Sequence, residues 1–200
     1  MGKRLREYFL KVAPEMSGRI ENGRAYVLDE RTGEQLNPMD IDDKIKIYER
    51  QMKEWFLNKA TNIMRRKDYG LVGLMVCLAY LEGVQQYRDG ESSRGRSEEF
   101  LKKSIHRMYP EKNWDDDTEL HNFYIQVRCG LFHDGMTRDM VVYKYTYDES
   151  LRFLRDTIEV NPKLLLKDIK KDFNKYLKEL KTMTNNELRQ NFNTMFKLVY

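Results

Sequence analysis

The sequence predicts a mainly all-α fold, a helical bundle with a small β-hairpin and an N-terminal arm, and three observations carry that reading. From residue 40 onward, apolar residues recur at three- and four-residue spacing through most of the chain. Hydrophobic residues make up 40% and charged residues 34%, with four prolines, a composition that suits a packed helical domain and excludes disordered or collagen-like chains. Runs rich in β-branched and aromatic residues are confined to short stretches. Two hundred residues suffice for one core. We divide them into an arm or small hairpin over 1–39 and a helical domain over 40–200 with a β insertion near 139–160.

Within residues 1–39, Ala25, Tyr26, Val27 and Leu28 read as a strand, and the following Asp29, Glu30, Arg31, Thr32 and Gly33 as the turn of a hairpin. Next, Ile41, Ile45, Tyr48, Met52, Phe56, Ala60 and Ile63 make one stripe, with aspartates in the first turn and Arg65, Arg66 and Lys67 at the end. That spacing predicts one amphipathic helix of about seven turns. A second helix over 69–87 is apolar nearly all round through Leu81 and belongs in the middle of the bundle. The polar stretch 89–96 leads to a third helix, capped by Ser97, with Glu98 and Glu99 in its first turn and Pro110 as its stop.

The fourth helix starts near Asp117 and Thr118. Leu120, Phe123, Tyr124, Val127 and Leu131 share one face, and Ile125 and Phe132 an adjoining one, so this helix is central or meets a second subunit. Residues 140–147, then Thr157, Ile158, Glu159 and Val160, read as a β-hairpin or ribbon. Asn161 and Pro162 open the next helix as cap and first residue, with Leu166, Ile169, Phe173, Tyr176, Leu177 and Leu180 as its stripe. Thr184 and Glu187 have capping-box spacing before a last helix that turns Leu188, Phe192, Met195, Phe196 and Val199 inward.

The net charge of +4 is concentrated at the end: residues 163–200 hold nine Lys and Arg against four Asp and Glu. Such a face suits a nucleic-acid partner or is simply a solvated row of lysines. Cys77 and Cys129 show no paired spacing, which points to a reducing compartment without disulfides. The basic residues 1–6 are not followed by a secretory apolar region, and the apolar run 71–81 is too short to span a bilayer. A cytoplasmic location without a membrane partner is therefore expected.

P-loop, dinucleotide-binding, nucleophile-elbow and zinc-array patterns are all missing from the sequence. Cys129 and His133 share a helix face at i and i+4, but no further spaced ligand accompanies them, so neither a metal site nor a cofactor is expected. The remaining candidate pair is Arg128 with His133. A histidine near neutral pKa can exchange a proton with an oxygen, and a guanidinium can hold a phosphate and stabilise charge in its transition state. On an α-helix their five-residue spacing turns about 140°. They meet only where the helix loosens near Gly130 or where a second copy completes the site. A structural role is the alternative, with Arg128 bonding an acid and His133 capping the helix.

Glu82, at the C-terminal side of the apolar stretch, is either a solvent-facing group or the partner of a buried cation such as Arg128. Arg94, Arg96, Ser92 and Ser93, just before a helix N-terminus, suit a phosphate, because free N–H groups and the helix dipole favour anions there. The alternative is a loop whose arginines keep it soluble.

Arg128 to His133 also fits the R-x4-H signature of the HEPN superfamily, the higher eukaryote and prokaryote nucleotide-binding domains. The surroundings resemble uncharacterised bacterial HEPN-like proteins: Tyr80, Leu81, Glu82, Gly83, Val84, Gln85, Gln86 and Tyr87, then Gly90 with Ser92 and Ser93, and later Val160, Asn161 and Pro162 opening a helix that reaches Tyr176 and Leu177. The similarity covers roughly residues 40–181. It implies an all-α homodimer in which Arg128 and His133 of both protomers line a cleft for metal-independent RNA cleavage; in our reading of that site, Glu82 is the orienting group. It also implies a role in toxin–antitoxin or phage defence, with an antitoxin or defence protein as partner. A non-catalytic module whose cleft binds nucleotide, RNA or protein is the alternative. Two positions depart from the family pattern: Cys129 stands where catalytic members commonly carry Asn, Asp or His, and Gly135 stands where members modified by a nucleotidyltransferase carry tyrosine.

Overall fold

A computed structural model describes residues 10–21, 23–66, 69–114 and 118–198. The basic residues 1–6, Lys67, Asp117 and Val199, each singled out in the sequence, lie outside them. Among the described residues the fold is mixed α/β, which corrects the mainly all-α expectation: a four-stranded and a three-stranded sheet flank the helices.

The N-terminal segment is a sheet rather than an arm. Strands β1 (Leu10–Ala13), β2 (Met16–Glu21), β3 (Arg24–Asp29) and β4 (Gln35–Leu36) pair antiparallel in sequence order. The expected hairpin is β3–β4, with Leu28 opposite Gln35. Val12, Ala13, Met16, Val27 and Leu36 are buried in the common core, which is why this segment stays on the domain. Its polar rim is tied to the first helix: Arg50 donates to Asp29 at 2.7 Å, Gln51 to the Val12 carbonyl at 2.8 Å, and Arg31 reaches both Glu54 oxygens.

The long amphipathic helix is built in three runs, α1 (Ile41–Arg50), a π-helical run (Gln51–Leu57) and α2 (Asn58–Ile63). Asp40 caps it by accepting from the amides of Asp42 and Asp43. Helix α3 (Gly70–Asp89) lies centrally and packs on α4 (Ser97–Met108) and α6 (Pro162–Lys181). The expected caps at Ser97 and Thr184 are corrected. Ser97 is the first residue inside α4, after Arg96, and α7 (Asn186–Met195) follows Asn185; neither start has a side-chain cap bond. The Asn161 cap is present, its Oδ1 accepting from the amides of Lys163 and Leu164.

Between them come α5 (Glu119–Phe123) and a second π-helical run (Tyr124–Asp134) that ends at Gly135 with φ 75°. The β insertion has three strands, not two: β5 (Val141–Tyr143), β6 (Leu151–Leu154) and β7 (Thr157–Val160), in the order β5-β7-β6. The hairpin is β6–β7, while β5 lies parallel to β7. Residues 144–150 loop back, and Asn161 Nδ2 stitches that loop by donating to the carbonyls of Tyr145 and Tyr147.

The core is aromatic at one end, where Tyr48 meets Tyr87, Phe173, Phe192 and Phe196. Beside it, Asp172 accepts from Tyr80 at 2.6 Å and pairs with Arg107. No helix among the described residues is long and apolar enough to cross a membrane.

Candidate functional site

The second π-helical run carries Arg128, Cys129 and His133. In a π-helix the amide of residue i+5 bonds back to residue i, so the five-residue step from Arg128 to His133 comes nearer to a whole turn than the offset of about 140° on an α-helix, while Arg128 is largely covered and His133 is exposed. Buried Gly130 stands between them. A Cβ there would come within 2.6 Å of the Met136 carbonyl oxygen, so glycine lets the chain after Gly135 fold back. That return is fastened by the Arg138 amide donating to the Gln126 carbonyl at 3.0 Å and by the Arg138–Asp134 ion pair.

Arg128 points toward α3. Its Nη2 donates to Glu82 Oε2 at 3.0 Å, and the two side chains are 18% and 19% exposed. The other oxygen of Glu82 accepts from the Ser93 hydroxyl at 2.7 Å. Ser93 is buried, and its amide donates to Gln86 Oε1 at 3.0 Å, so α3 holds the loop that holds the carboxylate. Of the two roles open for Glu82 in the sequence, the geometry is that of a partner for Arg128. The guanidinium also lies over two rings one turn away on either side, Tyr124 at 5.7 Å and Phe132 at 5.0 Å from the ring centres. Its Nε is buried without an acceptor among the described residues. The Tyr124 hydroxyl meets the Ser97 hydroxyl at 3.1 Å, and burial raises the Tyr124 pKa.

His133 is exposed, next to exposed Phe132 and Asp134, and has no hydrogen-bond or ion-pair partner among the described residues. Its imidazole is open to a ligand, and none of the described residues fixes its orientation. Cys129 is half-buried and unpaired, and Cys77 is buried and unpaired.

Family models, curated proteins and solved structures contain no match to this chain.

The residues chosen as a phosphate loop separate into different roles. Ser93 joins the Glu82–Arg128 cluster. Ser92 Oγ accepts from the Arg94 amide at 3.2 Å, which shapes the turn. Arg96 is engaged by Glu91 at 2.6 Å and Glu99 at 2.7 Å and lies over the Phe100 ring. Those two carboxylates compete with any anion at Arg96. The Arg94 side chain is exposed and carries no ion pair among the described residues. Sequence reasoning missed Tyr124 and Phe132 as the rings flanking Arg128, although their spacing of four residues on either side was a readable signal. Among the described residues no group of three or more His, Cys, Asp or Glu side chains is placed to hold a metal ion.

Proposed function

We propose that this chain is an HEPN-like RNA-binding protein that acts as a metal-independent endoribonuclease when two copies meet. The observation that supports this most is the second π-helical run, which carries both a preorganised arginine and, five residues on, an exposed histidine without a partner among the described residues. In this reading the Arg128 guanidinium, held by Glu82 and Ser93, contacts the scissile phosphate with its remaining N–H donors and stabilises charge on the phosphorane. His133 of one protomer takes the proton from the ribose 2′-hydroxyl, whose oxygen attacks phosphorus. The P–O5′ bond breaks, and a second His133, from the partner copy, returns a proton to the leaving oxygen. The products are a 2′,3′-cyclic phosphate and a 5′-hydroxyl end, and water is not consumed. A dimer supplies two imidazoles where one chain supplies one.

The Glu82–Arg128 ion pair favours a second reading, a non-catalytic module that binds RNA, because a carboxylate already in place lowers the pull of Arg128 on a phosphate. Purified protein incubated with single-stranded and structured RNA in EDTA separates the two. Cleavage that is lost in both Arg128→Ala and His133→Ala supports the nuclease. Binding without cleavage supports the module. Cleavage that survives both substitutions, or that needs a divalent ion, overturns the assigned site. A strict monomer by light scattering removes the second histidine.

A further inference from the structure

We propose that the groove between the end of α2 and the first turns of α6 holds the phosphate backbone of RNA by charge, without reading its bases; the inference rests on the RNA-binding reading above. The groove has a volume of about 600 Å3, and its lining holds five cations, Arg65, Lys163, Lys167, Lys170 and Lys171, with no acidic residue. The lysines recur along the first turns of α6, so at a pitch of about 5.4 Å the row offers roughly one cation per turn. A phosphodiester strand is a regular row of anions and is matched by such a row.

The acids of α6 are drawn elsewhere. Asp168 accepts from the hydroxyls of Tyr109 and Ser150, and buried Asp172 accepts from Tyr80 and pairs with Arg107. Lys171 reaches Asp168 at 3.3 Å from a largely exposed position, and Lys163 lies over the Tyr145 ring. Arg65, Lys167 and Lys170 carry no ion pair among the described residues. Lys170 is also half-buried, and that burial lowers its pKa, so a cation is kept partly out of water with no counter-charge beside it. An arriving phosphate would supply one.

Most of the exposed lining of the groove is apolar, with Leu166 and Met64 buried in its floor, so the cationic heads stand over apolar surface. The lining has no aromatic ring on which a base could stack, which makes the contact independent of sequence.

The test uses the full chain and 2′-O-methyl oligo(U) and oligo(A), which cannot be cut through a 2′-hydroxyl, followed by fluorescence anisotropy across a salt series. Lys167→Glu/Lys170→Glu is compared with Lys59→Glu/Arg155→Glu, which reverses two exposed charges outside the groove. The groove variant is expected to bind at least about tenfold more weakly at low salt and to lose about 1.4 from the slope of log affinity against log salt, at about 0.7 per phosphate contact. The control and both base sequences should stay within about twofold of wild type. Equal weakening in the control assigns the effect to net charge and overturns the inference. Unchanged binding in the groove variant, with wild type binding RNA, overturns the groove alone. Wild type that binds no RNA at low salt overturns the RNA reading itself, and displacement of RNA by polyglutamate but not by unlabelled RNA points to a protein partner and overturns the groove assignment.

Discussion

Replacing Glu82 by glutamine removes the charge beneath Arg128 while keeping the size of the side chain, and it tests whether the cluster is a working unit. The pair is 3.0 Å apart, and each side chain is about four-fifths covered. At an effective dielectric of about 20, two unit charges at that separation attract by roughly 5 kcal/mol. Desolvating both ions offsets most of this. What remains is the net value of a charged hydrogen bond, about 1.5–2 kcal/mol. Urea denaturation of wild type, Glu82→Gln, Arg128→Ala and the double variant should therefore close to a coupling energy of about 1.5 kcal/mol. For a chain of this length, Glu82→Gln alone should lower Tm by about 3–8 °C. Because the neutral amide of the variant no longer competes for the guanidinium, RNA affinity should rise several-fold even as stability falls. A coupling below about 0.5 kcal/mol, the scale of independent sites, would refute the strut. Unchanged RNA affinity would refute Arg128 as a phosphate ligand.

Asn161→Ala should destabilise by about 2 kcal/mol, because one side chain caps α6 through two amides and holds two carbonyls of the 144–150 loop. Hydrogen exchange should localise the loss to that loop and the first turn of α6, and an effect below about 0.5 kcal/mol would show that other contacts hold the loop. Burial pushes the Cys77 thiol far above its ordinary value of 9.0. A raised folded pKa means the stabilising contribution is complete below about pH 9 and is lost as pH rises above it, because the unfolded chain releases the proton first. Between about pH 8 and 10, wild type should lose about 1.4 kcal/mol more stability than Cys77→Ala. Parallel stability curves for the two proteins would show that the thiol titrates alike in both states.

The helices were legible because their signals are local. Asp40 and Asn161 announce helix starts through side chains that reach amides two and three residues on, and the apolar stripes of α1 and α6 follow the period of the backbone. Helix α3 was legible in another way, as a central helix, because it is apolar nearly all round through Leu81. The N-terminal sheet was harder to see. Its first turn puts Glu15 at φ 54°, where turn rules look for glycine or asparagine, although the Asn22-Gly23 dipeptide is a strong hairpin signal in the sequence. Strand β6 escapes detection because four residues bounded by charged turns give too short an alternation to stand out.

What the sequence determined by itself about this protein is its helical periodicity, the helix start at Asn161, the glycine stop after residue 134 and the chemical types of Arg128, His133 and Glu82. The pairing of Arg128 with Glu82 across 46 positions, the recruitment of Ser93 to that carboxylate and the parallel pairing of β5 with β7 were decided by the tertiary structure. So was the change from α to π winding through Tyr124–Asp134, the run that carries Arg128 and His133. The physical reason is range. Caps and periodicity involve groups within one turn of each other, whereas an ion pair between distant segments and a widened helix depend on which surfaces the core presses together.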